Sequence, residues 1–248
     1  MATVSPAGRT LGARGPAVTG IGLGCAPIGN MFTAVSDDDA GATVDAAWRA
    51  GIRYFDTAPL YGHGLSERRL GRALATRPRG DYVLSTKVGR LLQPPGGPPP
   101  PTIFTGVDEL VPHFDFSRDG VLRSLDDSLS RLGTDRIDVV LVHDPDDHED
   151  VARRETFPAL LRLRDDGVIA AVGCGMNQVA MLERFVADID LDCVLLAGRY
   201  SLLDRSGAET FRDSFCDRVD QVLRIDAALC CLVADRIAAH QSSGEFPR

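Results

Sequence analysis

The sequence predicts an α/β protein in which helices cover a mostly parallel β-sheet. Short, continuous apolar runs alternate with segments of helical periodicity between about residue 20 and residue 200 of the 248-residue chain. Apolar runs without polar alternation are typical of strands buried on both faces, as in parallel sheets covered by helices. A (β/α)₈ barrel and a doubly wound sheet both fit this pattern, and barrels of this length fold as one domain.

Six apolar runs are the predicted strands. They cover residues 21–25, 52–56, 82–86, 137–142, 168–174 and 193–197. Cys25, Cys174 and Cys193 lie inside these runs, and none of the six cysteines belongs to a C-x-x-C pair. We therefore expect reduced, buried thiols of the kind found in cytosolic proteins.

Helices are predicted between most of the strands, starting near residues 37, 66, 117, 157 and 178. The three aspartates at 37–39 suit the positive end of the first helix, and Gly51 ends it. Ser117 caps the third helix, along which apolar residues recur every three or four positions until Gly133.

The connection from Leu91 to Phe116 is unusual because its residues 94–101 are PPGGPPPP. Such a run forms neither a helix nor a central strand. The connection follows a strand, so in a barrel it would lie on the face that carries active sites. A substrate-covering loop and a flexible insert without a role are both compatible with the sequence.

Charge and composition limit the classes of partner. The formal net charge is −8 and there is no basic run, which argues against nucleic acid or an anionic membrane surface as the main partner. No stretch approaches the roughly 20 apolar residues that span a bilayer. Residues 1–16 lack the apolar segment of a secretory signal. The sequence therefore predicts a cytoplasmic protein without a membrane partner.

Polar residues follow three of the apolar runs at the point where each strand is predicted to end. Asp56, Lys87 and His143 occupy these ends, and Tyr61 follows Asp56 by five residues. Because the carboxyl ends of parallel strands meet at one edge of the sheet, we expect the four side chains to converge. Taken singly, each has a simpler interpretation as a helix cap, a solvated strand end or a packing residue.

The four residues make chemical sense as a proton-transfer site. A buried lysine beside a tyrosine favours the phenolate, so we expect Lys87 to lower the pKa of Tyr61. Asp56 would keep Lys87 charged, and Tyr61 could then exchange a proton with a carbonyl or alcohol oxygen that His143 orients. None of these groups transfers electrons, so a hydride donor must come from a bound cofactor.

Several segments, in their order and spacing, resemble the aldo-keto reductase family. They are residues 22–24, 54–58, 61–62, 66–67, 85–87, 124–138 and 141–143. The resemblance implies a (β/α)₈ barrel of the TIM type, an NADP or NAD cofactor, and a small-molecule carbonyl or sugar substrate. The glycines at 22 and 24 do not open a dinucleotide fingerprint, because Pro27 stands where its third glycine would be, and this counts against a doubly wound sheet.

The resemblance also implies residue roles. Asp56, Tyr61, Lys87 and His143 match the family's catalytic tetrad, with Tyr61 as the general acid or base. Cofactor-binding positions correspond to Gly24, Asn177 and Tyr200. Two positions depart from the family pattern, with Met176 in place of a serine and Ala197 near the place of a glutamine.

The segments around these positions are similar to a branch that oxidises sugars and pyridoxal, including L-fucose and D-threo-aldose dehydrogenases. They are residues 26–30, 116–121, 143–147 and 197–203. A metal site is the alternative at residues 143–150, which contain two histidines and five acidic residues. Pro145 and the run of acids favour a solvated loop instead, so no metal is predicted.

The resemblance predicts three segments: an N-terminal tail at 1–17, a partial barrel at 18–207 and a divergent segment at 208–248. Only six of eight barrel strands are recognisable, and apolar residues between 219 and 237 predict one amphipathic helix followed by a polar tail. We expect this divergence to come from a frame change or a gene-structure error. A helix that packs across the gap, within one chain or in a dimer, is the other interpretation.

Two functions follow as hypotheses. The first is an enzyme that transfers hydride between nicotinamide and a carbonyl or alcohol. The second is a catalytically inactive truncated homologue, or a binding or regulatory module, that lacks a complete cofactor site. The four polar residues do not distinguish the two hypotheses, whereas cofactor binding does.

Overall fold

A computed structural model describes residues 8–12, 14–107, 109–199, 204, 206–207 and 222–225. Within these residues, seven strands form one sheet in which every neighbouring pair is parallel. In chain order they are β3 (Leu23–Gly24), β4 (Tyr54–Asp56), β5 (Val83–Val88), β8 (Val139–His143), β9 (Ala171–Met176), β10 (Cys193–Ala197) and β11 (Val222–Ile225). Two antiparallel hairpins, β1 (Arg9–Thr10) with β2 (Ala17–Val18) and β6 (Arg90–Gln93) with β7 (Val111–Phe114), complete the strands.

The order of the strands in space decides between the two predicted architectures. The seven strands of the large sheet lie side by side in the same order as in the chain. A doubly wound sheet would reverse its strand order at a switch point, whereas a barrel adds each strand next to the previous one. The fold is therefore an incomplete (β/α)₈ barrel, and all six predicted strands are confirmed.

One prediction about the C-terminal segment is wrong. Val222–Ile225 pair in parallel with β10, with Val194 opposite Val222, whereas the sequence predicted a helix there. The four residues contribute a seventh strand next to the six that the sequence predicted. The other residues of the predicted segment 208–248, and so most of the predicted helix and tail, lie outside the described residues.

In the described part of the chain, six α-helices alternate with the strands or follow them. They are α1 (Asp37–Arg49), α2 (Leu65–Leu74), α3 (Arg118–Leu132), α4 (Glu149–Val151), α5 (Phe157–Asp165) and α6 (Val179–Asp188), with a π-helical turn at Ala152–Thr156 and 3₁₀ turns at Pro27–Gly29, Arg79–Asp81 and Asp146–His148. Ser117 and Gly133 bound α3 as predicted, with Gly133 in the left-handed region at φ 63°. The cap of α1 is Ser36, which precedes the predicted acidic turn.

The cap of α3 provides a stability prediction. The Ser117 hydroxyl accepts a hydrogen bond from the Gly120 amide at 3.1 Å, so Ser117→Ala should lower the free energy of unfolding by about 1 kcal/mol. Ser130→Ala is the control, because Ser130 is an exposed position inside the same helix. Urea unfolding of both variants measures the effect, and equal midpoints for the two would show that the cap contributes nothing.

Apolar residues are buried on both faces of the sheet, which explains the continuous apolar runs. Along β8, Val140 and Val142 pack against the helices, while Val139 and Leu141 belong to a second cluster on the other face. That second cluster takes the first residue of each of five strands, Tyr54, Val83, Val139, Ala171 and Cys193, together with Leu11 and Val18 of the β1–β2 hairpin.

The β1–β2 hairpin therefore covers the amino-terminal end of the barrel. Leu11 is fully buried, so the part of the predicted tail that the structure describes is a packed element and not a tail. The open end of the barrel exposes apolar side chains, and their burial under the hairpin is favourable. The carboxyl end of the strands remains as the end that can hold a functional site.

The segment from Leu91 to Phe116 is more ordered than predicted. Its ends form the β6–β7 hairpin, and Phe104 forms an isolated bridge with Met31. The Asn30 side chain donates to the Thr105 carbonyl at 3.0 Å, which fastens the middle of the segment to the barrel. The proline-rich residues 94–101 are exposed and have no regular structure, as the sequence predicted.

Candidate active site

The structure brings the four predicted polar residues together at the carboxyl end of the barrel. Asp56 and His143 are the last residues of β4 and β8, Lys87 lies near the end of β5, and Tyr61 is in the loop after β4. Asp56, Lys87 and His143 are buried, with exposed fractions of 3%, 1% and 7%. Burying two charged groups and an imidazole costs free energy unless each group has hydrogen-bond or ion-pair partners.

Asp56 and Lys87 form a buried ion pair. The Lys87 Nζ donates to Asp56 Oδ2 at 2.6 Å and to the Thr57 carbonyl at 2.9 Å. Asp56 Oδ1 accepts from the Ser85 hydroxyl at 2.7 Å. Burial alone lowers the pKa of Lys87, but the Asp56 carboxylate and Tyr61 raise it above its ordinary value. Lys87 is therefore charged at neutral pH.

Tyr61 lies against this pair. The Lys87 Nζ is 4.7 Å from the centre of the Tyr61 ring. Burial raises the pKa of Tyr61 above its ordinary value even though Lys87 acts in the opposite direction. The expectation that Lys87 lowers this pKa is confirmed for the effect of Lys87 itself, but removal of the phenol from water has the larger effect and sets the net direction. Tyr61 is thus a protonated donor at neutral pH.

Two glycines fix the backbone around Tyr61. Gly62 has φ 62°, a conformation that favours glycine. A β-carbon on Gly29 would lie 2.8 Å from the Tyr61 carbonyl carbon, and one on Gly62 would overlap the Gly29 carbonyl group. The Pro27–Gly29 turn and the Tyr61 loop consequently approach as closely as two backbones can.

The rings of His143 and Tyr61 are perpendicular to each other, with 5.8 Å between ring centres. Burial lowers the pKa of His143 well below its ordinary value, and the positive charges of Arg90 and Lys87 act in the same direction. The imidazole is therefore neutral at neutral pH. Its Nδ1 is 3.1 Å from Nη1 of Arg90, a residue that the sequence analysis did not single out.

The 91–116 segment forms a wall of the site. Phe104 is buried and lies 6.2 Å from Tyr61 between ring centres. His63 Nδ1 is 2.7 Å from the Leu110 carbonyl, which holds the second half of the segment against the Tyr61 loop. The sequence analysis singled out this segment as a candidate substrate-covering loop, but it identified neither Phe104 nor Arg90 as part of the site. Arg90 could have been found, because it follows Lys87 by three residues at the same strand end.

A second buried network supports the site from the helix side. Glu67, at the start of α2, is fully buried and accepts hydrogen bonds from Thr86 at 2.7 Å and from Arg131 at 2.6 Å. Thr86 directly precedes Lys87, so this network ties α2 and α3 to the strand that presents the lysine. The Ser66 hydroxyl, beside Glu67, donates to the Cys25 carbonyl at 2.6 Å.

Two of the three predicted cofactor-binding residues lie at the carboxyl end of the barrel, and the third is not described. Gly24 pairs with Asp56 in the register of β3 and β4, which puts it beside the tetrad. Asn177 directly follows β9 and is exposed at the carboxyl end of the barrel. Tyr200 lies outside the described residues.

The described residues contain neither a metal-binding cluster nor a membrane-spanning helix. No group of three or more His, Cys, Asp or Glu side chains among them could hold a metal ion. Nor does the described part of the chain contain a helix with the length and apolar character that crossing a membrane requires.

The sequence as a whole settles the family. The model of the aldo/keto reductase family matches residues 20–219, most of the chain. The chain belongs to the aldo/keto reductase family. The match continues beyond residue 207, where the sequence analysis expected the resemblance to stop, and that boundary is therefore too early.

Two relatives agree with the predicted branch of aldo/keto reductases. The chain is 47% identical over 202 residues to a D-threo-aldose 1-dehydrogenase of Pseudomonas, covering 79% of this chain and 61% of the relative. It is 43% identical over 223 residues to a pyridoxal 4-dehydrogenase of Microbacterium luteolum, covering 82% of this chain and 65% of the relative. The chain thus spans less than two thirds of the length of these two relatives.

A solved structure shows the same fold. An aldo-keto reductase from Bacillus halodurans, in its holo form, superposes with a TM-score of 0.69 at 30% sequence identity. The alignment covers 88% of this chain and 65% of the other. This aldo/keto reductase chain therefore shares the family's barrel architecture over the strands that carry the tetrad.

Proposed function

We propose that this aldo/keto reductase is an NADP- or NAD-dependent oxidoreductase that interconverts a small-molecule carbonyl and the corresponding alcohol. The buried Asp56–Lys87 pair against Tyr61 is the observation that carries the proposal. It combines a permanent positive charge with a protonated phenol at the end of the barrel where such sites lie. The names of the relatives favour an aldose as substrate first and an aromatic aldehyde or alcohol related to pyridoxal second.

Tyr61 is the proposed proton donor. In reduction its hydroxyl gives a proton to the carbonyl oxygen, and the phenolate that remains is stabilised by the Lys87 ammonium. In oxidation the phenolate takes the proton of the alcohol. Asp56 keeps Lys87 charged and in place, and the neutral His143 donates a hydrogen bond to the same substrate oxygen. When bound, NADPH or NADH would supply the hydride for reduction and NADP⁺ or NAD⁺ would accept it in oxidation, since no side chain of the tetrad can.

The described residues fit the nicotinamide end of such a cofactor. Asn177 is exposed two residues beyond Gly175, which pairs with His143 in the sheet. Its amide can both donate to and accept from a carboxamide, so Asn177 would hold the nicotinamide next to the tetrad. Gly24, beside Asp56, is the second proposed cofactor contact, and Tyr200 is proposed from the family resemblance alone.

Titration with NADPH and with NADH tests the proposal first. Binding of either is followed through nicotinamide fluorescence, and activity is then measured with aldoses and with pyridoxal. Binding together with turnover of one substrate class supports the enzyme. If a folded sample binds neither cofactor, the second hypothesis, a catalytically inactive or binding module, replaces it.

The pH dependence of reduction follows from the direction of the Tyr61 pKa. Reduction needs the protonated phenol, and burial raises the pKa of Tyr61 above its ordinary value of 10.0. The rate of reduction should therefore stay level through neutral pH and decline only in the alkaline range. Steady-state kcat from pH 6 to about 10.5 checks this, and a decline near pH 7 would show that another group gives the proton.

The close approach of Gly29 to Tyr61 gives a positional prediction. In Gly29→Ala the new methyl group must push the Tyr61 backbone aside, so kcat should fall on the order of tenfold to a hundredfold. The crowding should also cost about 1–3 kcal/mol of unfolding free energy. Gly41→Ala is the control, because a β-carbon on Gly41 meets nothing within 4 Å. Unchanged kcat in Gly29→Ala would mean that the loop tolerates the shift.

A further inference from the structure

Arg90 makes two hydrogen bonds beside the tetrad. Its Nη1 lies 3.1 Å from His143 Nδ1, and its Nη2 donates to Asp144 Oδ2 at 3.0 Å. The side chain is only 10% exposed. Its guanidinium also stacks over the Phe114 ring, 5.0 Å from the ring centre, so the β6–β7 hairpin holds it from the other side. Arg90 is thus fixed in one position against the imidazole.

The contact with Arg90 determines where the proton of the imidazole lies. An arginine side chain has donors and no acceptor, so His143 Nδ1 must be the acceptor of this hydrogen bond. The neutral imidazole has one N–H group, which then is Nε2–H. The positive charges of Arg90 and Lys87 and the burial of the ring keep it neutral, since all three lower the pKa of His143.

We propose that Arg90 is a positioning residue that fixes His143 in the Nε2–H tautomer, so that Nε2–H is the hydrogen-bond donor to the substrate oxygen. The second half of this inference rests on the proposed function, because it assumes that a substrate oxygen is bound at the tetrad. The first half concerns the protein alone. Nε2 is the ring nitrogen left to meet a substrate, since Nδ1 is occupied by the guanidinium.

Asp144 is the group that could compete for this proton. Its Oδ2 is 3.5 Å from His143 Nε2, a longer distance than the 3.0 Å from the same oxygen to Arg90 Nη2. Arg90 therefore engages the carboxylate as well as Nδ1 and leaves Nε2–H available. Asp144 has φ 44°, in the left-handed region, so the backbone turns directly after His143.

Nitrogen NMR of histidine tests the tautomer directly. The full chain has five histidines, and the signals of His143 are assigned by their loss in His143→Gln. Two-bond proton–nitrogen correlations then show which ring nitrogen carries the proton. We expect a pyridine-like Nδ1 and a pyrrole-like Nε2 in the unmodified chain. The opposite pattern would overturn the proposal.

Substitutions at Arg90 test the cause. In Arg90→Met no donor holds Nδ1, so the two nitrogen resonances of His143 should move towards each other as the second tautomer becomes populated. Arg90→Lys keeps a charged donor and should restore most of the original pattern. Asp144→Asn should retain the Nε2–H tautomer, because Arg90 still occupies Nδ1. Both resonances unmoved in Arg90→Met would show that Arg90 does not set the tautomer.

Two controls distinguish a change of the His143 tautomer from unfolding of the chain and from a failure of the proposed function. Arg123→Met removes an exposed arginine from its pair with Asp115 and should leave the His143 signals in place. If Arg90→Met unfolds, the signals of the other histidines collapse as well, and Arg90→Lys alone decides the proposal. The spectra need no substrate, so an inactive chain with the expected tautomers would contradict the proposed function only. In an active chain, kcat of Arg90→Met should fall by roughly tenfold and recover in Arg90→Lys.

Discussion

Tyr61→Phe should lower kcat for carbonyl reduction by roughly a thousandfold while leaving the fold and the affinity for the cofactor unchanged, because a positioned proton donor contributes about 10²–10⁴ in rate. The variant removes one oxygen atom and keeps the ring, which contacts Lys87, Phe104 and His143. The buried ion pair between Lys87 and Asp56 stays intact. Steady-state kinetics and a cofactor titration on the same sample measure the two expectations.

Tyr82→Phe is the matched control for this prediction. Tyr82 is a buried tyrosine that packs against Trp48 and Phe55 and directly precedes β5, at the opposite end from the tetrad. Its kcat should stay within about twofold of the unmodified chain, as expected for a residue that touches no reacting group. Activity of Tyr61→Phe equal to that of Tyr82→Phe would remove Tyr61 from the mechanism.

The convergence of the tetrad could be predicted from the sequence because it depends only on the order of the strands and on where they end. Parallel strands with continuous apolar runs must present their last residues at one edge, whatever the details of packing. The placement of Asp56, Lys87 and His143 followed from this rule. Tyr61 followed as well, since five residues of loop cannot carry it far from Asp56.

The net direction of the Tyr61 pKa could not be predicted in the same way. Two opposing effects act on the phenol, the charge of Lys87 and the loss of contact with water, and the second depends on the whole surrounding fold. Phe104 contributes to that surrounding wall from a segment more than forty residues away in the chain. No local pattern in the proline-rich segment marks Phe104 as a neighbour of Tyr61.

The strand at Val222–Ile225 shows a second limit of sequence reasoning. Its apolar residues fit one face of a helix as well as they fit a strand of four residues. Length is the usual way to choose between the two, and the apolar positions that continue to residue 237 favour a helix. Pairing with β10 decides otherwise, since an edge with unpaired backbone groups favours another strand.

The β6–β7 hairpin was missed for a related reason. Its strands, Arg90–Gln93 and Val111–Phe114, are short and are separated by a long segment rich in proline. Sequence patterns detect hairpins through tight turns, and none is present here. This hairpin matters for the site because it places Arg90 next to His143.

Lys87→Met should destabilise the chain by about 3–5 kcal/mol, because it leaves the Asp56 carboxylate buried without its partner. Asp56 is 3% exposed and would keep only the Ser85 hydroxyl as a hydrogen-bond donor among the contacts described above. The change should also remove measurable activity, since the phenolate of Tyr61 loses its charge partner. Urea unfolding with a two-state fit measures the stability.

The double variant Asp56→Asn/Lys87→Met separates the buried charge from the packing. It should recover at least about 2 kcal/mol relative to Lys87→Met, because no isolated charge remains in the core, although activity stays lost. Arg123→Met breaks an exposed pair and should cost no more than about 1 kcal/mol. If the double variant were as unstable as Lys87→Met, the loss would come from packing and not from the unpaired carboxylate.

The pH dependence of the Asp56–Lys87 pair gives an independent check on the same interaction. Folding raises the pKa of Lys87 above the ordinary lysine value of 10.5. A raised pKa means that the stabilisation is fully present below the unfolded value and is lost only as the pH rises through the folded value. The stability difference between the unmodified chain and the double variant should therefore be constant from about pH 6 to pH 9 and shrink only at strongly alkaline pH. A difference that already shrinks at pH 8 would mean that Lys87 loses its proton in the folded chain, and the phenolate of Tyr61 would then have no permanent positive charge beside it.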